Sequence, residues 1–145
     1  MASSSGFFMI CLLHSIISFS CGSLMIFYLN EISIIGHGSE TAIKLLGSTP
    51  HDQLLIQTSD SFAGLLLCII GLLLFMVSFI RDKEFQSFFA NGCVLVHILV
   101  ALWRIFFERE VEILASHWPK QVIGDFLMAF SWVFFQIYTW REKYD

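Results

Sequence analysis

The residues able to do chemistry in this chain stand inside runs that suit lipid. His97 and Arg104 interrupt the stretch HILVALWRIFF, and Asp125 interrupts VIGDFLMAFSWVFFQIYTW. Asp60 stands just before FAGLLLCIIGLLLFMVSFI, Glu108 one turn after Arg104, and His14 within FFMICLLHSIISFS. One guanidinium, three carboxylates and two imidazoles can form ion pairs, hold a polar headgroup or an ion, or pass protons. A charge facing hydrocarbon costs roughly 2.5–3.5 kcal/mol near the bilayer centre on insertion scales, so these groups must find partners inside the protein.

The elements that must position them are membrane helices. The 145 residues are 57% hydrophobic and only 14% charged, with a mean hydropathy of +0.75. About 20 mostly apolar residues cross a hydrocarbon core of about 30 Å. Four segments meet that length: 7–29, 62–80, 85–107 and 122–140. The expected fold is all-α, a single integral membrane domain over 1–145, with a four-helix bundle and a short surface helix between spans one and two. The first span also has features of a cleavable signal peptide, with small Ser18 and Ser20, but LMIFYL continues apolar beyond that point and the span reads as retained.

Four crossings put both termini on one side, called side A, together with the short loop RDKE. Side B then holds residues 30–61 and 108–121. Side A carries Arg81, Lys83, Arg141 and Lys143; side B carries Lys44, Arg109 and Lys120, with Arg104 near its edge. The slight excess on side A leans toward cytosolic termini. Trp103 and Trp118 mark the side B border, and Tyr138, Trp140 and Tyr144 the side A border. The net charge of −4, without a basic stripe, excludes a nucleic-acid role.

Arg104 and Asp125 each lie about three residues inside the side B end of their helices, so at 1.5 Å per residue their depths match. This predicts an Arg104–Asp125 ion pair with Asp60 or Glu108 as a further acceptor. Its bland role is a clasp that fixes helix orientation; its functional role would be a headgroup or ion site. His97 falls about two turns deeper on the Arg104 face, and His14 lies toward side A. A serine hydroxyl or a backbone carbonyl can satisfy a neutral imidazole there.

Cys11, Ser15, Ser18 and Gly22 form a small-residue stripe on helix one, and Gly64, Cys68, Gly71 and Ser78 form another on helix two. Small side chains let backbones approach, so the two stripes are expected to meet. The four cysteines show no metal-ligand spacing and read as buried thiols. Within the long loop, Ser39–Glu40 starts a helix that Gly47 stops. Thr49 and Pro50 then cap a second helix that continues into span two. GHGSE lacks a nucleophile elbow and reads as a flexible turn.

MASSSGFF, GSTPHDQLLIQTSDSFAGLLL and SWVFFQIYTWREKYD resemble a family of small plant four-helix membrane proteins of unknown function, over the whole chain. That resemblance implies no activity and no functional residue. A looser likeness, carried by WVFFQIYTWREKY, is to the sterol-biosynthesis scaffold proteins of the endoplasmic reticulum; helix three departs from their histidine-then-acid arrangement by carrying His97 and Arg104. Lys143, third from the end, with Arg141, is similar to lysine-based retrieval signals of that organelle. The expected function is a non-catalytic scaffold or adaptor for other membrane proteins, with no cofactor and no metal. Its partners would be membrane lipid, other membrane proteins or a second copy. The alternatives are a small transporter or channel subunit using the charged cluster, and a lipid-modifying enzyme with His97 or His51 as base.

Overall fold

The computed structural model describes residues 2–109 and 118–144; residues 110–117 lie outside them, as do the side chains of residues 2–4 and of Trp118, Glu142, Lys143 and Tyr144. The described residues are helical, in the order α1 (Ala2–Phe27), α2 (Leu29–His37), α3 (Ser39–Leu45), α4 (Pro50–Val77), α5 (Lys83–Trp103) and α6 (Trp118–Tyr144). Among the described residues, four stretches are long and apolar enough to cross a membrane: Ser5–Phe27, Pro50–Val77, Lys83–Glu108 and Pro119–Arg141. The all-α class is as expected.

Span one ends earlier than its apolar run. The chain leaves helical geometry at Tyr28 (φ −136°, ψ 47°), and residues 29–37 start a new helix instead of a loop. Two short helices therefore stand between spans one and two, where one was expected. Gly38 separates them with φ 80°, a value that disfavours any side chain, so GHGSE is a helix-to-helix junction. Gly47, at φ 86°, ends the second. Thr49 caps α4 as expected: its Oγ1 accepts from the Asp52 N–H at 3.2 Å, and Pro50 takes the first helical position. At 28 residues, α4 is about 42 Å long, more than the hydrocarbon needs.

The turn after α4 is fixed by side chains at both ends. Asp82 caps α5 through its Oδ1 and the Phe85 N–H (2.7 Å), and buried Gln86 donates back to the Ile80 carbonyl (2.8 Å). α1 packs most extensively on α4, and α5 on α6, while α1 also touches α6. The small-residue stripes meet as expected. A Cβ added at Gly22 would lie 2.5 Å from the Gly64 carbonyl oxygen, and one at Gly64 2.7 Å from that of Gly22. Farther toward side A, Ser15 Oγ donates to the Gly71 carbonyl at 2.6 Å.

The two helix pairs join through an aromatic knot in the side A half. Phe7 of α1 is fully buried against Phe89, Trp132 and Phe135, with ring centroids 6.1, 6.2 and 5.6 Å away. Cys11 and Leu74 complete this core. Arene pairs of this kind contribute about 0.5–1.5 kcal/mol beyond their buried area.

Candidate functional site

α5 does not stop at Trp103. It continues through one π turn, Arg104–Glu108, closed by the Arg109 N–H on the Arg104 carbonyl (3.2 Å). Such a turn accommodates one extra residue and widens the helix locally. It carries the only guanidinium among the described spanning segments outside their border residues, and it brings Glu108 back beside Arg104.

Arg104 is engaged on three sides. Its Nε donates to Asp125 Oδ2 at 2.7 Å, and its Nη1 donates to Glu108 Oε1 at 2.7 Å and to Gln121 Oε1. Side-chain exposure is 25% for Arg104, 12% for Glu108 and 17% for Asp125, so the fork is largely shielded. Gln121 passes the network on: its Nε2 lies 3.3 Å from His37 Nδ1 at the end of α2.

Of the two further acceptors expected for Arg104, Glu108 fills the role and Asp60 lies elsewhere. It is half-buried on α4 and lies within electrostatic reach of His37, and Arg104 bonds to Asp125, Glu108 and Gln121 instead. Arg104 bonds within its own helix and to α6, while His37 of α2 is the charged partner near Asp60. Asp60 thus belongs to the outer end of the network rather than to the ion pair.

His14 and His97 are brought together. Their ring centroids are 5.5 Å apart at 61°, His14 Nε2 lies 2.8 Å from Ser131 Oγ, and His14 packs 5.0 Å from the Trp132 ring. Ser131 Oγ also donates to the Met128 carbonyl at 2.7 Å, so as the donor there it accepts from His14 Nε2–H. His97 is in turn within electrostatic reach of Asp125. The Trp132 indole N–H is buried without a hydrogen-bond partner among the described residues.

Two polar features go beyond the sequence expectations. Gln121 sits one turn before Asp125 on α6, so helical spacing is enough to place it on the same face. His37 carries no such signal, because its position depends on two short helices and a glycine between them. On the side A half, Ser87 and Gln136 join α5 to α6 through two bonds, Ser87 Oγ to Gln136 Oε1 at 3.2 Å and Gln136 Nε2 to the Ser87 carbonyl at 2.8 Å. Residues 2–133 match the family model described as "Domain of unknown function (DUF7865)". The chain belongs to that family. No curated protein and no solved structure matches it. Family membership therefore leaves the chemistry to be argued from the residues. No group of three or more His, Cys, Asp or Glu side chains among the described residues is arranged to hold a metal ion.

Proposed function

We propose that this multi-pass membrane protein is a non-catalytic scaffold or adaptor that holds other membrane proteins in one bilayer, with residence in the endoplasmic reticulum and cytosolic termini as part of that reading. The observation that supports it is the internal engagement of Arg104. Its Nε and Nη1 donate to Asp125, Glu108 and Gln121, so the cluster acts on the bundle itself and ties α6 to the end of α5. The surface left to partners is apolar: Leu95, Leu99, Trp103, Phe106 and Phe107 on one helix are all more than half exposed.

The test is site-specific photo-crosslinking in native membranes. A photoreactive residue at Phe106 is expected to capture one membrane protein reproducibly, while the same probe at buried Ala101 captures none. Equal capture at both sites, or lipid adducts alone at Phe106, would overturn the scaffold reading.

One observation favours the transporter alternative. His14, His97, Asp125, Arg104, Gln121 and His37 form a succession of polar groups from the bundle interior to side B. Reconstituted vesicles decide it: solute or proton flux that His97→Phe abolishes would establish transport in place of scaffolding.

A further inference from the structure

A groove of about 670 Å³ runs between the start of α5 and the end of α6 on side A, away from the Arg104 network. That volume falls in the range of about 300–1,000 Å³ typical of small-molecule sites. Two stripes at helical spacing form its walls: Lys83, Glu84, Ser87, Phe88 and Asn91 from α5, and Phe135, Gln136, Thr139 and Trp140 from α6. It opens outward, toward lipid, since Phe88 is 78% and Trp140 64% exposed.

The polar groups of the groove divide into two sets. Ser87 and Gln136 satisfy each other across the floor, and Thr139 Oγ1 bonds the Phe135 and Gln136 carbonyls. Asn91 does not share in this. It is exposed, about 12 Å farther along the helix than Lys83, and its amide makes no side-chain hydrogen bond among the described residues. An amide at that depth faces the upper acyl region, where hydrocarbon offers its donors no partner. The complement is a molecule that brings a carbonyl to this level while keeping its charge at the mouth.

At the mouth, Lys83 and Glu84 stand side by side, both exposed and both lining the groove. Their charges cancel, which suits a headgroup carrying one negative and one positive charge. We propose that this groove binds one zwitterionic glycerophospholipid, its phosphate at Lys83, its ammonium at Glu84 and an ester carbonyl accepting from the Asn91 amide. Exposed Phe88 and Trp140 then flank the lipid. The site stands independently of the scaffold reading.

The test uses the full chain in nanodiscs of equal parts phosphatidylethanolamine, phosphatidylcholine and phosphatidylglycerol, followed by native mass spectrometry of the released protein. One retained ethanolamine or choline lipid per chain is expected, several-fold over the glycerol lipid. Asn91→Leu should lower retention at least five-fold, and Glu84→Gln should shift selectivity toward phosphatidylglycerol. Unchanged retention and selectivity in both variants would overturn the proposal. A photoreactive residue at Phe88 decides the matter even if a variant folds poorly. It should mark a phospholipid; crosslinking to a second copy of the chain would show a self-association face and overturn the lipid site.

Discussion

The two long seams of the bundle are held by opposite means. Between α1 and α4 the backbones touch: Gly22 and Gly64 leave no room for a Cβ, and Ser15 bonds the Gly71 carbonyl. Between α5 and α6 side chains reach across, through Ser87–Gln136 at one end and Arg104–Asp125 at the other. Lipid offers no hydrophobic drive to bring helices together, so each seam depends on what its own residues supply. The first uses close dispersion contact that tolerates no added bulk. The second uses a few polar bonds, each removable, with ordinary side-chain packing between them.

The largest effect should come from filling the tight seam. Gly64→Leu forces side-chain atoms into the Gly22 carbonyl and the Met25 and Ile26 side chains, and it is expected to destabilise by about 3 kcal/mol or more, read from denaturant titration in detergent. A loss below about 1 kcal/mol would mean the seam adapts, and the contrast between the two seams would fail. Next is Arg104→Ala. It leaves Asp125 and Glu108 shielded near each other without their cation, at a cost of about 2 kcal/mol, below the 3–5 kcal/mol of fully buried pairs because these groups keep some exposure.

Asp125→Ala should cost less than Arg104→Ala, because Glu108 and Gln121 still engage the guanidinium. The double variant should then cost less than the sum, by about 1 kcal/mol, in a mutant cycle. Strict additivity would show that the two residues do not act as a clasp. Gln136→Leu removes the polar tie at the other end and is expected to cost more than the mean of about 0.6 kcal/mol for one such bond within membranes, because it breaks two, and to stay below about 2 kcal/mol in the same denaturant titration. The smallest effect belongs to Trp132→Phe, which trades lost contact area for removal of an unpaired indole N–H. Its net change should stay within about 1 kcal/mol by thermal melting.

Much of this architecture is legible in the residues alone. Composition and run length give the four spans; Thr49–Pro50 gives the start of α4; glycines and serines at helical spacing give the tight seam. Matching depth brings Arg104 and Asp125 to one level, and the fork between them is present. What the sequence does not announce depends on contacts between segments distant along the chain. The break at Tyr28 has no glycine or proline to mark it. The placement of His37 beside Gln121 follows from that break and from Gly38, and it decides where Asp60 belongs. The meeting of His14 with His97 needs the rotation of α1 against α5, which spacing along one helix cannot supply.

The π turn at Arg104–Glu108 bears on how this helix can change in length. A helix that has absorbed one surplus residue can give one up. Deleting a residue between Gly92 and Leu102 would swing Arg104 by about 100° and carry its charge toward acyl chains. Shortening by one within 105–107 would let the coil relax to ordinary α geometry, leaving the cation and everything before it in register. Tolerance to insertion and deletion along α5 is therefore concentrated in a single turn, next to the residue that can least bear to be moved.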